Sequence, residues 1–508
     1  MDKTILETNL NGTRLLIAAF IVGLANFMVV LDMTIANVSI PTITGSLAVS
    51  PSQGTWIITS YAIAEAVSLC LSGWLAQRYG LVQTFSVALI GFTVFSIFCG
   101  LSNSLELLVL FRIGQGFFGG PIMPLSQTLM ISIFPPKKYA QALAIWATTT
   151  VIGPILGPIL GGWISDNWVW NWIFLINAPI GLVSIYGIYF FLFKVKSPLS
   201  KSKFDVIGII LLIVWIGAFQ MMLDMGHDYD WFNHMKIWNL AIIALASFIF
   251  FIVWEFTEKQ PVIQLRIFTN KGFSIATFAL SLAYGAFFGG IVITPQWLQL
   301  NMGYTATWAG YLTATMGVGS LLMSIVVAKF LHKIDQRLLA SVGFILFALS
   351  SLLRAFWANN ADFMDLAWPQ IIQGFALPLF FIPLSNIALA SVQSHELAMA
   401  TGMMNFIRTL SAAVGASISM SLWSDFGVSA RNEMIGSVQL SESQQVLQGA
   451  DISPESGLFI LSNLVDHEAI TVSINHIFWG LTVIFLFMSV LIWLSPKPQN
   501  MLDKLHIH

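Results

Sequence analysis

The chain has 508 residues, 57% of them hydrophobic and only 9% charged, with a formal net charge of −2. Ordinary soluble domains carry about 25% charged residues, so a soluble globular fold is excluded, and no nucleic-acid partner is expected. The two cysteines, Cys70 and Cys99, fall in apolar stretches and indicate neither a disulfide framework nor a metal site; no cofactor is expected.

Fourteen apolar stretches lie near 15–40, 54–76, 82–101, 105–132, 139–164, 172–193, 204–223, 237–257, 272–300, 305–328, 338–357, 367–391, 398–423 and 475–495. Each is long enough to cross about 30 Å of hydrocarbon as a helix. The reading is an all-α polytopic membrane protein. The first stretch is too long for a signal-peptide core and is read as a retained helix. With the N-terminus cytoplasmic, lysine and arginine sort strongly inward, leaving Lys236 and Arg431 outside and Arg112, Arg354 and Arg408 within spans. Both termini then lie in the cytoplasm. Trp163, Trp168, Trp170 and Trp172 cluster where an outer interface is expected.

Intramembrane charges are costly and need a reason. In chain order, Asp32 stands nine residues before Pro41, taken as the outer end of its helix. Glu65 and Arg112 fall at comparable depth in the second and fourth stretches. Burial favours the protonated form of a carboxylate and a nearby guanidinium the ionised form. Asp32, Glu65 and Arg112 together could therefore load and discharge a proton; the alternative is a structural ion pair. Arg354, close to its helix end, is expected to snorkel, and Arg408 has the small-residue flank of an interior helix.

Two segments recur in the same order about 250 residues apart. "QGTWIITSYAIAEAVSLCLSGWLAQ" (53–77) is echoed at 305–329, and "RIGQGFFGGPIMPLSQ" (112–127) at 370–386. The domain reading is a six-helix bundle over 1–200, two inserted helices over 201–260, and a second six-helix bundle over 261–508. A polar outer loop is expected at about 424–474. Transporters are often built from such repeats, with the substrate path between them.

"VIGPILGPILGG" (151–162) concentrates glycine and proline in an apolar helix. In lipid, glycine permits close helix approach and proline is tolerated where neighbours satisfy the freed carbonyls. Gly153, Gly157 and Gly161 share one face, Pro154 and Pro158 form an adjacent ridge, and Gly162 follows. Either this is a tight small-residue contact, or a surface that packs across the halves and closes the outer end of a pathway.

These segments resemble a known family. "LDMTIANVSIP" (31–41), which includes Asn37, resembles the first-helix motif of the fourteen-helix drug:proton antiporters of the major facilitator superfamily. "FRIGQG" (111–116) is similar to motif B, "GPILGPILGG" (153–162) to the antiporter motif C, and "GWLAQRYG" (73–80), with Arg78, to motif A without its acid. "HKIDQR" (332–337) keeps an acid and a base, Asp335 and Arg337, as gating or structural residues; Asp224 in "LDMGHDYDWF" is placed with them. The resemblance covers about residues 15–495 and extends to the inner-membrane components of tripartite efflux pumps. It implies a major facilitator fold of fourteen transmembrane helices. It further implies proton-coupled export of hydrophobic or amphiphilic toxic compounds from the bacterial inner membrane. A periplasmic membrane-fusion adaptor and a TolC-like outer-membrane channel are the implied partners.

A pocket for amphiphiles needs apolar walls and a few polar groups. Asn37, Phe117, Met123, Gln127, Phe288, Gln296, Trp297, Phe381 and Arg408 are the candidates. An importer or symporter of the same fold, and a non-transporting receptor or scaffold, remain the alternatives. Phosphate-binding and nucleophile–base motifs are absent, which argues against an enzyme.

Overall fold

A computed structural model describes residues 12–135, 139–192, 199, 205–258, 261, 263, 265–331, 333–392, 397–437 and 454–496; the Pro154 side chain lies outside that description. The described residues contain no strand. They form fourteen long helices: α1 Thr13–Leu47, α2 Pro51–Tyr79, α3 Leu81–Gly100, α4 Leu105–Ile133, α5 Tyr139–Asn167, α6 Trp172–Leu192 and α7 Val206–Gly226. The remainder are α8 Met235–Thr257, α9 Lys271–Leu300, α10 Ala306–Phe330, α11 Gln336–Arg354, α12 Phe363–Ala390, α13 Leu397–Ser437 and α14 Pro454–Leu491. Twelve of them are long and apolar enough to cross a membrane; α5 and α13 are the two outside that set.

Helices dominate because backbone groups in hydrocarbon must be satisfied within the segment. Polar side chains take up the exposed first-turn donors. Ser50 accepts from the Gln53 amide at 3.2 Å while the Gln53 side chain accepts from the Ser50 amide at 3.1 Å. Asn270 and Asp335 cap α9 and α11 in the same way, each accepting from a first-turn amide.

Three expectations are corrected. Pro41 does not end its helix: α1 continues to Leu47, so Asp32 stands 15 residues from the end. A proline forfeits one backbone bond, and the neighbouring helices hold the chain in register. The segment expected as a loop at 424–474 is largely helical, since α13 runs to Ser437 and α14 begins at Pro454. Arg354 does not snorkel: it is 2% exposed, lies over the rings of Trp357 and Phe478, and donates to Gln370 and Gln373.

Helices α1–α6 pack among themselves, as do α9–α14, while α7 and α8 form a hairpin. The two sets meet along two seams, α2 against α13 and α5 against α10, with α1 touching α9 between them. At the Trp163 end the contact is tight. Ile40, Ile58, Val292 and Ala416 form one buried apolar cluster, and Gln299 donates to the Val38 carbonyl at 2.8 Å. Asp166 at the end of α5 accepts from the Ala306 and Thr307 amides at 3.0 and 2.7 Å, capping α10 across the seam.

The glycine-rich segment explains that closeness, with a division of labour that differs from the expected one. Gly153, Gly157 and Gly161 face α1, inside the first set: a Cβ there would meet Val30, Thr34 and the Ile35 carbonyl at 2.6, 2.0 and 2.5 Å. The adjacent positions make the cross-seam contact. A Cβ on Gly162 would lie 2.2 Å from the Ala306 carbonyl, and one on Gly310 2.2 Å from the Pro158 carbonyl. The helix is thus smooth on two faces, because it is wedged between α1 and α10.

Candidate ion-pair site and the groups between the helix sets

Four helices place a polar centre inside the first set. Gly116 and Gly120 sit one turn apart on α4, where a Cβ would meet the Tyr61 and Glu65 carbonyls of α2 at 2.2 and 2.6 Å. This approach of α4 to α2 lets Arg112, one turn before Gly116, reach across. Its Nε donates to the Ile57 carbonyl at 3.0 Å, and its guanidinium lies 4.1 Å from the centre of the Tyr61 ring.

Arg112 Nη1 meets Asp32 Oδ2 of α1 at 2.6 Å, with both side chains at most 1% exposed. It is the one ion pair among the described residues that is fully buried. The other carboxylate oxygen, Oδ1, accepts from Gln115 Nε2 at 2.9 Å and Asn177 Nδ2 at 2.7 Å. Both amides also donate to Ser96 Oγ, and Gln115 Oε1 accepts from Arg112 at 2.8 Å.

Every partner of Asp32 is therefore a donor. Arginine has no acceptor at all, so this shell is built for an ionised carboxylate. A proton on Asp32 would find no acceptor without rearrangement. The buried Asn177 Oδ1, which has no hydrogen-bond partner, is the nearest candidate after an amide flip.

Glu65 is not part of this pair. It is buried, its Oε2 has no hydrogen-bond partner, and it forms no ion pair among the described residues. Arg408 of α13 lies 5.0 Å from the Tyr284 ring centre and 5.4 Å from that of Phe381, with Nη2 3.7 Å from Met123 Sδ. Its Nε is buried without a partner. Phe288 stacks in a tilted arrangement on Tyr284 at 5.0 Å. Glu65, Met123, Phe288, Phe381 and Arg408 thus gather between the two sets. There an aromatic wall meets two ionisable side chains that form no salt bridge among the described residues.

Other expected cavity residues are placed elsewhere. Trp297 is fully buried within the second set, stacked on Trp357 at 5.3 Å and donating to Thr471 at 3.2 Å, away from the groups around Arg408. Phe117 is 38% exposed and lines a groove with Trp74 and Arg78 on the flank of α2–α4. Gln296 and Asn37 are buried, each with its side-chain oxygen unpartnered, and Gln127 is half-buried on α4. Arg78 is exposed and makes no ion pair among the described residues, whereas Arg337 Nη2 pairs with Asp335 at 2.9 Å and Nη1 donates to the Ser495 carbonyl at 3.2 Å. The turn between α10 and α11 is thereby tied to the chain just beyond α14.

Tyr61, Ser96, Gln115 and Asn177 are absent from the residues expected on sequence grounds. Gln115 carried a signal, being one helical turn from Arg112; Asn177 sat in "WIFLINAPIG" without a charge to attract notice. Ser96, one of several hydroxyl side chains in a helix without a charged residue, offered no distinguishing signal.

Comparison with known proteins places the chain in a family. The profile of the Major Facilitator Superfamily matches residues 22–416. The chain is 40% identical over 501 residues to the multidrug export protein EmrB of Escherichia coli K12, covering 96% of this chain and 97% of that one. It is 39% identical over 500 residues to the fatty acid resistance protein FarB of Neisseria gonorrhoeae, with the same coverage. Among solved structures, an inward-facing bacterial homolog of the human lysosomal transporter Spinster aligns with a TM-score of 0.64 at 16% identity, covering 96% of this chain and 98% of that one. A D-xylose–proton symporter aligns equally well, with 12% identity and coverage of 96% and 99%, so the likeness to both is one of fold. The chain belongs to the Major Facilitator Superfamily and, within it, to the EmrB-like transporters: a multi-pass membrane protein and not an enzyme.

Proposed function

We propose that this protein is a proton-coupled exporter of hydrophobic and amphiphilic toxic compounds. The observation that carries the reading is the buried Asp32–Arg112 pair with its all-donor shell. Protonation of Asp32 removes the charge that Arg112 faces and obliges Asn177 or Gln115 to turn. Because Arg112 also holds the α2 backbone through Ile57 and the Tyr61 ring, that rearrangement is felt by α2, one of the two seam helices. Glu65, one turn further along α2, would carry or relay the proton toward Arg408 and the aromatic wall. Arg408, with Met123, Phe288 and Phe381, would hold the substrate.

The full arrangement comprises fourteen spans, two six-helix bundles with α7–α8 inserted between them, and both termini in the cytoplasm. The Trp163 end then faces outward, in keeping with the exposed Trp163, Trp168 and Trp172. The Gly162–Gly310 contact seals that end. The EmrB-like assignment supports an inner-membrane location. It also supports a tripartite pump with an EmrA-like periplasmic adaptor of the membrane-fusion type and a TolC-like outer-membrane channel.

The test is substrate-driven proton movement in proteoliposomes, with Asp32→Asn as the variant. Loss of proton movement with intact expression is expected; unchanged proton release would remove Asp32 from the mechanism. A toxicity panel in an efflux-deficient host, with and without the adaptor, identifies the substrates and tests the partnership.

A further inference from the structure

The α7–α8 hairpin has no counterpart within either repeat, and nothing above gives it work to do. Near the end of α7, however, lies another carboxylate that forms no ion pair among the described residues. Asp224 Oδ2 accepts from Thr59 Oγ1 of α2 at 2.7 Å. Its Oδ1 accepts from Gln220 Nε2 at 2.9 Å and from Ser417 Oγ of α13. Gln220 donates to Ser417 as well. Thr59, Gln220 and Ser417 are all at least 97% buried.

One turn beyond, the same end of the hairpin grips both helices again. His227 contacts Asp425 at 2.8 Å and Ser424 at 2.7 Å, two turns beyond Ser417 along α13. Ser52, at the start of α2, donates to Asp228 at 3.1 Å. The hairpin therefore bridges α2 and α13 at two levels, over the seam that the buried Ile40–Ile58–Val292–Ala416 cluster closes.

We propose that Asp224 is the clasp of this bridge, so that the hairpin holds the Trp163 end of the seam closed and must release α2 or α13 for that end to open. One carboxylate binds a hydroxyl from each helix through separate oxygens, so the two helices cannot part while both contacts persist. An intramembrane carboxylate needs a compensating role, and three donors from three helices supply one that is lost on separation. Asp224 is a positioning residue: it acts through α2 and α13 and touches neither the ion pair nor the aromatic wall. The inference rests on the reading that the two helix sets part at this end.

The test reads opening directly. With Cys70 and Cys99 replaced by alanine, Val292→Cys, fully buried in the seam cluster, serves as the sole reporter for a membrane-impermeant maleimide on purified protein in nanodiscs. That assay uses no gradient, substrate or adaptor, so its failure is separable from failure of the proton-coupled export reading. Asp224→Ala is expected to raise the labelling rate several-fold. Asp224→Asn, whose amide oxygen still accepts from a hydroxyl, should raise it less. Unchanged labelling in Asp224→Ala with an unchanged melting profile would overturn the clasp. Should Asp224→Ala not fold, Ser417→Ala and Thr59→Val each remove one contact, and unchanged labelling in both would overturn it equally.

Discussion

In the first set of helices Arg112 of α4 meets the carboxylate of Asp32, with Gln115 beside it; in the second set Arg354 of α11 meets Gln370 and Gln373 of α12 and no acid among the described residues. Gln115 and Gln373 occupy matching places in the two repeats, each directly before a glycine. The glutamine and the buried guanidinium are common to both sets; the carboxylate is not. A cation among neutral acceptors has one charge state and fixes a packing. A cation opposite a carboxylate can lose its partner to a single proton. Of the two buried guanidiniums, only that of the first set faces a carboxylate among the described residues, and under the proposed mechanism that is the group able to switch.

Four sets of variants put that contrast at risk. The largest effect belongs to Asp32→Asn, which should abolish substrate-driven proton movement in proteoliposomes. Its counterpart, Arg354→Met, should leave that movement in place, while orphaned glutamine oxygens cost about 1–3 kcal/mol, seen as a lower melting temperature. If Arg354→Met instead uncoupled protons from substrate, the division between a switching and a fixed set would be wrong. Next come two changes where the sets should agree. A Cβ on Gly116 would lie 2.2 Å from the Tyr61 carbonyl, and one on Gly374 2.0 Å from that of Met316. Gly116→Ala and Gly374→Ala should each cost about 1–3 kcal/mol through forced backbone shifts, measured by thermal unfolding in detergent. Unequal costs would show that one bundle yields more readily than its partner. The smallest effects lie in the turns. Asp335→Asn removes the partner of Arg337 and should lower transport modestly, whereas exposed Arg78→Gln should leave both transport and melting unaltered, as measured by dye efflux.

Much of the architecture is legible in the residues themselves. Membrane residence, the helix positions, the internal repeat and the candidacy of Asp32 and Arg112 all follow from composition, periodicity and the cost of burying charge. The donors around Asp32 are less so. Gln115 can be found by helical spacing, but Asn177 and Ser96 come from α6 and α3, and no local pattern says which distant amide will turn toward a buried acid. Pro41 and the 424–474 segment mislead for a related reason. Proline and polar residues lower helix propensity, yet long-range packing outweighs a local cost of a few kcal/mol.

That this chain lives in a bilayer and buries charge there is written in its amino-acid order, because hydrocarbon imposes helices and penalises ions regardless of topology. The pairings emerge only in three dimensions: Asp32 with Arg112 and not Glu65, Gly162 with α10 while Gly153, Gly157 and Gly161 face α1, and Asp224 with both seam helices. Each depends on which helices become neighbours, and neighbours are chosen by the packing of the whole assembly, which no single stretch of residues encodes.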